Sequence, residues 1–255
     1  MRMRLSSLGL HFGAIAVVLA FGAGAAPAAE TSVAVAANFA DAAQAIGGRF
    51  RRATGHRAIY SFGATGLLYA QIAQGAPFEV FLAADREHPA RAEREGLAVP
   101  GSSFTYATGR LVLFSRYENL VRGEATLKEA SFAKLAIANP ATAPYGAAAV
   151  ATLTALGVFD ALKPRIVQGN SIAQAYQFVD TGNAELGFVA FSQVVGHSHG
   201  SRWLVPGNLH AIIAQDAVLL RRGEGNAAAR AFLAFLKGEE ARAVKVSHGY
   251  GPGEE

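Results

Sequence analysis

Short apolar strands and amphipathic helices alternate along most of this chain, and the alternation restricts the fold to an α/β class. The spacing of apolar residues predicts a strand over 33–36, a helix over 39–52 and a second strand over 57–62. Further strands are predicted over 78–83, 111–115, 135–138, 166–167, 185–191 and 211–220, and further helices over 67–74, 89–95, 147–156, 172–181 and 227–237. Such alternation favours parallel sheets with helices on both faces. No single hinge peptide is visible, which favours two α/β lobes joined by crossing strands.

The N-terminus has the pattern of an export signal. Arg2 and Arg4 precede residues 8–26, which contain no Lys, Arg, Asp or Glu, and small residues then alternate at Ala26 and Ala28. This order predicts a secretory signal peptide over 1–28 and a periplasmic location for the mature chain. The alternative is a transmembrane anchor, but the apolar run is rich in Gly and Ala and ends in a cleavage-like site. No later segment is apolar for long enough to span a bilayer.

The composition of the mature protein limits which partners it can bind and how it can be stabilised. Removal of Arg2 and Arg4 lowers the net charge from +4 to +2, and the remaining basic residues are scattered. Together with the export signal, this excludes nucleic acid as a partner. The chain contains no cysteine, so its stability in an oxidising compartment depends on a core drawn from the 51% of residues that are hydrophobic.

Two small polar residues stand where predicted helices begin. Asn38 follows the first strand, and Thr65 follows the second. The start of a helix exposes N–H groups without internal partners and carries partial positive charge, so it is a natural anion site. An ordinary helix cap would use the same residue types. The pattern therefore indicates either caps or an anion-binding site.

Five motifs in order resemble the periplasmic molybdate-binding proteins of ABC transporters, in the type II periplasmic binding protein superfamily. The most specific of them is an apolar strand that ends in Ala-Asp at Asp85, a structural position in that family. The five are AANF (36–39), SFGATG (61–66), GAPFEVFLAAD (75–85), LAIANPATAPYG (135–146) and LGFVAFSQV (186–194). The resemblance covers the chain from about residue 33 to its C-terminus. It implies the two-lobe fold with a ligand cleft between lobe I, residues 29–110 plus 216–255, and lobe II, residues 111–215.

The resemblance also implies the ligand contacts. They fall on Asn38, Thr65, Tyr145 and a backbone N–H near Ile172, while Ala190 stands where some relatives add a tyrosine hydroxyl. The implied ligand is molybdate, with tungstate as a second oxyanion, and the implied partner is an ABC transporter permease. The resemblance implies a monomer that is no enzyme and holds no cofactor. Binding of sulfate or phosphate is the near alternative.

The chemistry of these residues suits an oxyanion. Molybdate only accepts hydrogen bonds, so a selective site needs donors and avoids carboxylates. Asn38, Thr65 and Tyr145 offer neutral donors, which escape the desolvation cost of a buried Arg or Lys. Tyr145 would otherwise be an ordinary aromatic residue of a turn.

Two histidine-containing motifs favour other functions. Residues 196–200 match G-x-S-x-G, and Asp216 and His248 follow in the order of a hydrolase triad, so an exported serine hydrolase using Ser198 is the alternative from another class. The sequence after Ser198 looks extended and is stopped by a proline. This argues against a hydrolase, because the motif needs a helix directly after the serine. His197, His199 and His210 could be proposed as zinc ligands, but the spacing of a metal site is missing. The glycine-rich tail over 249–253 is predicted to be irregular.

Overall fold

The structure is a computed structural model that describes residues 28–251. The predicted signal peptide therefore lies outside the described residues, except for Ala28. In the described part of the chain no single helix is long and apolar enough to cross a membrane, although one bent pair, Pro144–Ala155 with Phe159–Arg165, passes a test of length and composition.

Ten strands occur within residues 28–251. In chain order they are β1 (Glu30–Ala36), β2 (Arg57–Gly63), β3 (Val80–Leu82), β4 (Phe104–Gly109), β5 (Leu111–Ser115), β6 (Leu135–Ala138), β7 (Ile166–Gly169), β8 (Leu186–Ala190), β9 (Ser201–Leu204) and β10 (Ile213–Leu219).

Nine α-helices occupy the same part of the chain. They are α1 (Ala40–Thr54), α2 (Thr65–Ala73), α3 (Glu87–Arg94), α4 (Ala125–Glu129), α5 (Pro144–Ala155), α6 (Phe159–Leu162), α7 (Ile172–Asp180), α8 (Ala227–Lys237) and α9 (Glu239–Ser247). Short 3₁₀ turns complete the set, and the one at Ala37–Phe39 leads directly into α1.

The strands form two separate five-stranded sheets. The first has the order β2-β1-β3-β10-β4, and the second has the order β7-β6-β8-β5-β9. In each sheet three neighbouring strands run parallel, and the remaining two pair antiparallel at one side. The predicted two-lobe α/β fold is confirmed, and each lobe has one mixed, mainly parallel sheet flanked by helices.

The chain passes between the sheets twice. It leaves the first sheet after β4, crosses at Arg110 into β5, and returns after β9 to enter β10. One apolar cluster joins the two halves, because Ala36, Ala64 and Ala84 from the first sheet's side pack with buried residues around β5, β6 and α5. The ends of the strands of both sheets therefore face a common cleft.

Most predicted elements occur close to their expected positions, and five elements within residues 28–251 were not predicted: β4, β9, α4, α6 and α9. The predicted bounds of β5, β6 and α8 agree with the structure to the residue. Strand β4 was not predicted, since its polar threonines and final glycine weaken the apolar signal. Helix α9 was not predicted either, because Gly238 suggested the end of the helical region.

Candidate functional site

The four residues expected to contact a ligand converge on one small cavity in the cleft. Asn38 lies in the 3₁₀ turn before α1, Thr65 is the first residue of α2, Tyr145 is the second residue of α5, and Ile172 is the first residue of α7. All four are at least 96% buried. They line a cavity of about 10 Å³ together with alanines, glycine and proline.

Strand order explains why these helix starts meet. Parallel strands β1 and β2 lead into the Ala37 turn and α2, and parallel strands β6 and β7 lead towards α5 and α7. The carboxyl ends of parallel strands share one edge of a sheet, so the turns that follow them are neighbours. The two sheets present these edges to each other across the cleft.

Local sequence fixes where the two helices on the second sheet begin. Pro144 occupies the first turn of α5, where its missing N–H costs nothing and its fixed φ angle suits a helix. The Ser171 side chain caps α7 by accepting a hydrogen bond from the Gln174 N–H at 3.3 Å. Each arrangement leaves the earliest main-chain N–H groups at the helix end that faces the cavity.

The two halves of the molecule touch beside the cavity. The Gly66 N–H donates to the Thr142 carbonyl oxygen at 2.9 Å. A Cβ atom at position 66 would lie 3.2 Å from the Cα and carbonyl oxygen of Thr142, closer than side chains normally approach backbone. Glycine at this position therefore permits the close contact between α2 and the loop before α5.

Thr65 is bonded so that its hydroxyl proton is available to the cavity. Its Oγ1 accepts a hydrogen bond from the Ala84 N–H at 3.0 Å. A threonine hydroxyl has one donor and two acceptor positions, so this bond uses an acceptor and leaves the donor. Thr65 is 1% exposed and lines the cavity, so a ligand bound there would accept the hydrogen bond from this hydroxyl.

Tyr145 is a neutral phenol held by the strand that returns to the first sheet. Gln215 on β10 donates from Nε2 to the Tyr145 hydroxyl oxygen at 3.2 Å. Burial, with a smaller contribution from Tyr250, raises the pKa of Tyr145 well above its usual value, and the hydrogen bond from Gln215 opposes that rise only in part. The hydroxyl therefore keeps its proton at neutral pH.

The side chain of Asn38 is bonded inside the protein rather than directed at the cavity. Its Nδ2 donates to Gln215 Oε1 at 2.9 Å and to the Tyr250 hydroxyl at 3.2 Å. The Asn38 main-chain carbonyl oxygen accepts from the hydroxyl groups of Tyr250, at 2.5 Å, and Ser192, at 2.9 Å. Both amide hydrogens have internal partners, so the donor that Asn38 offers the cavity is its main-chain N–H.

Gln215 and Tyr250 are the site residues that the sequence did not indicate. Tyr250 belongs to the glycine-rich tail predicted to be irregular, yet it is 94% buried and packs edge-on against Phe39. Gln215 is completely buried in β10, where it and Asp216 interrupt an apolar run. That interruption of an apolar run was the available signal for Gln215, whereas the position of Tyr250 depends on the tertiary fold.

Asp85 does not line the cavity. Its carboxylate accepts from the His88 N–H at 3.0 Å and contacts His88 Nδ1 at 2.8 Å, and this bond raises the pKa of His88. The Asp85 carbonyl oxygen also accepts from the Asp216 N–H. Asp85 thus closes the first turn of α3 and ties it to β10. Ala190, at the position of the missing tyrosine hydroxyl, is buried at the end of β8.

The Ser198 loop lacks the surroundings of a hydrolase nucleophile. Ser198 is exposed and leads into strand β9, whereas a nucleophile elbow leads into a helix. Asp216 accepts a hydrogen bond from Thr105 at 2.7 Å, and His248 Nδ1 contacts the Val244 carbonyl at 2.8 Å. Asp216 and His248, which matched a triad in chain order, are therefore engaged in separate structural contacts.

The histidines have structural contacts of their own. The rings of His197 and His199 stack with their centroids 5.6 Å apart, and His197 Nε2 contacts the Tyr176 hydroxyl at 3.2 Å. His210 Nδ1 lies 2.7 Å from the Ala211 carbonyl oxygen. Across residues 28–251 no group of three or more His, Cys, Asp or Glu residues is arranged to hold a metal ion.

Comparisons with known proteins agree on one class. Residues 31–251 match the family model of bacterial extracellular solute-binding proteins. The chain is 50% identical to the molybdate-binding protein ModA of Rhodobacter capsulatus, over 94% of this chain and 96% of that protein. It is 53% identical to the molybdate-binding protein ModA of Azotobacter vinelandii, over 95% and 99%.

A solved structure gives the same result for the fold. The periplasmic molybdate-binding protein of Azotobacter vinelandii superposes with a TM-score of 0.84 and 39% sequence identity. The match covers 87% of this chain and 98% of that structure.

Proposed function

Because the chain belongs to the bacterial extracellular solute-binding proteins, we propose that it binds molybdate outside the cytoplasm and delivers it to an ABC transporter permease. Its relatives are binding proteins and not enzymes, and the role is transport without catalysis. The names of the two curated relatives support the choice of molybdate.

The chemistry of the cavity wall is the observation that supports this function best. Every described residue that lines the cavity is uncharged, and the polar ones are hydrogen-bond donors at or near helix starts. Molybdate is fully ionised near neutral pH and presents only acceptor oxygens. A wall without carboxylates therefore suits this anion, while helix N-termini supply partial positive charge without a buried cation.

We assign the contacts to four positions. Thr65 and Tyr145 donate from their hydroxyl groups, and Asn38 and Ile172 donate from the main chain. Each hydrogen bond to a charged ligand contributes about 1.5–3 kcal/mol. Several such bonds reach sub-micromolar affinity after the costs of association and ordering.

The remaining features follow from the same role. The signal peptide at 1–28 directs the chain to the periplasm, where it acts as a monomer. Lobe I comprises 29–110 plus 216–255, lobe II comprises 111–215, and the anion is enclosed when the two lobes close.

Tungstate, which has nearly the size of molybdate, binds as well. Sulfate is smaller, so fixed donors cannot close around it without losing contacts.

Calorimetric titration of the dialysed mature protein tests this function. We expect one-to-one binding of molybdate and of tungstate, with no binding of sulfate or phosphate at the same concentrations. Heat with sulfate or phosphate but none with molybdate would support the alternative oxyanion and contradict the proposal.

A further inference from the structure

One buried side chain outside the cavity connects two of the assigned ligand contacts. Gln215 on β10 is completely buried, and it does not line the cavity. Its Oε1 lies 2.9 Å from Asn38 Nδ2, and its Nε2 lies 3.2 Å from the Tyr145 hydroxyl. Gln215 therefore joins the turn that follows β1 to the start of α5, across the cleft.

The neighbours of Gln215 determine which way its amide faces. Asn38 donates to Oε1, and the Tyr106 hydroxyl donates to the same oxygen at 3.0 Å. The Tyr106 hydroxyl has a single proton, which the Ala83 carbonyl oxygen at 3.1 Å also attracts, so Tyr106 alone does not fix the amide. Asn38 does, because the Tyr250 hydroxyl donates its own proton to the Asn38 main-chain carbonyl at 2.5 Å and therefore accepts from Asn38 Nδ2. With Oε1 facing Asn38 Nδ2, the Gln215 amide must direct its N–H₂ group at Tyr145.

This orientation controls the proton of the Tyr145 hydroxyl. A phenol oxygen that accepts a hydrogen bond from Gln215 must direct its own O–H elsewhere. Tyr145 also lines the cavity. The cavity is the direction in which the Tyr145 proton can find an acceptor.

The space around this contact is tightly filled. A Cβ atom at Gly109, on β4, would lie 2.5 Å from Gln215 Nε2 and closer still to the Tyr145 hydroxyl. Glycine at this position therefore lets β4 pack directly against both groups. Packing holds the geometry that the hydrogen bonds define.

We propose that Gln215 is a positioning residue that makes the Tyr145 hydroxyl donate into the cavity and so sets the site's preference for an acceptor-only anion. This inference deepens the proposed function and rests on it. A purely structural role for Gln215 would affect folding but would not change the hydrogen-bond direction at Tyr145.

The pH dependence of molybdate affinity in a Gln215→Glu variant distinguishes the positioning role from a purely structural one. A protonated carboxyl offers one acceptor and one donor, as the amide does, whereas a carboxylate only accepts and draws the Tyr145 proton away from the cavity. Burial raises the pKa of an introduced carboxyl into the accessible range. We expect molybdate affinity of this variant to fall at least about tenfold from about pH 5.5 to about pH 8.5, while the wild type changes little.

Gln168→Glu is the matched control. Gln168 is exposed on β7, so this variant adds the same charge without touching the site. We expect it to follow the wild-type pH profile. Circular dichroism at both pH values checks that each variant is folded.

A neutral double-mutant cycle removes the contribution of the added charge. We expect Gln215→Met to weaken molybdate binding about tenfold in the wild type and much less in a Tyr145→Phe background, because the hydroxyl it positions is then absent. Additive losses in the cycle, or a Gln215→Glu variant that keeps the wild-type pH profile, would overturn the positioning role. Absence of molybdate binding by the wild type would instead overturn the proposed function, and the inference with it.

Discussion

At the scale of single residues, the proposed anion site depends on the directions of two hydroxyl protons. Thr65 and Tyr145 each accept a hydrogen bond from the protein, from the Ala84 N–H and from Gln215 Nε2. An accepted bond leaves the hydroxyl proton for another acceptor. Both side chains are nearly inaccessible to solvent, so the protons face the cavity rather than bulk water.

Thr65→Val tests this assignment at one atom. The variant removes the hydroxyl donor, so we expect molybdate affinity to fall about tenfold or more. It also leaves the Ala84 N–H without its partner, which lowers the free energy of unfolding by about 1–3 kcal/mol while the protein stays folded. Calorimetry and urea unfolding measure the two effects.

Thr65→Ser is the matched control, because it keeps the hydroxyl and removes only a methyl group. We expect it to retain most of the affinity. Wild-type affinity in Thr65→Val would remove Thr65 from the site.

At the scale of elements, the two final helices bury a lysine beneath the first sheet. Lys245 on α9 is 92% buried, and its Nζ donates to the carbonyl oxygens of Tyr106, at 2.8 Å, and Leu236, at 3.0 Å. Leu236 lies in the last turn of α8, where carbonyl groups lack helical partners. Lys245 therefore ties α9 to α8 and β4 through backbone acceptors.

The buried lysine makes stability depend on pH. Burial, with a smaller contribution from Arg242, lowers the pKa of Lys245 to about 8. In the unfolded chain a lysine titrates near about 10.4, so between these values the unfolded state holds a proton that the folded state has released. We expect the free energy of unfolding to rise with pH across this window through Lys245, and Lys245→Met to lack that contribution.

Urea unfolding at several pH values between about 7.5 and 9.5 measures how steeply the free energy of unfolding changes with pH. Lys163→Met, at an exposed position, serves as the control and keeps the wild-type slope. Equal slopes in Lys245→Met and wild type would show that Lys245 does not titrate in this window.

The sequence predicted most elements because their apolar spacing is a local property. Strands such as β5 and β6 are continuous apolar runs, and α8 has a clear amphipathic face. The missed strand β4 is defined by its pairing with β10, which lies more than 100 residues away in the chain. Long-range pairing of this kind leaves little trace in local sequence.

The site was predictable only in part for the same reason. The family motifs pointed to Asn38, Thr65, Tyr145 and Ile172, and these four residues do line one cavity. They did not show that the Asn38 amide is engaged by Gln215 and Tyr250. Those partners lie 177 and 212 positions from Asn38 in the chain, so only the folded structure brings them together.

At the scale of the whole molecule, the two sheets meet where α2 approaches the loop before α5. The Gly66 N–H bonds the Thr142 carbonyl oxygen, and the Ser192 hydroxyl bonds the Asn38 carbonyl oxygen. Both contacts join the halves of the chain that separate sheets define. We expect the cavity to be enclosed only while these contacts hold.

Gly66→Ala tests the importance of that close approach. Its methyl group would press on Thr142, so we expect closure to be hindered and molybdate affinity to fall at least about fivefold, or about 1 kcal/mol. The melting temperature without ligand should change little. Gly225→Ala is the control, since a Cβ atom there meets open space. Equal affinity of the Gly66→Ala variant and the wild type would mean that closure tolerates the wider spacing.

Anomalous X-ray scattering at the molybdenum absorption edge, from crystals grown with molybdate, tests the central claim most directly. We predict a single strong peak enclosed by Thr65, Tyr145 and the helix starts at Asn38 and Ile172, with the Tyr145 hydroxyl within hydrogen-bond distance of the oxyanion. A peak elsewhere on the protein, or no peak from crystals at saturating molybdate, would contradict the assignment of this cavity as the binding site.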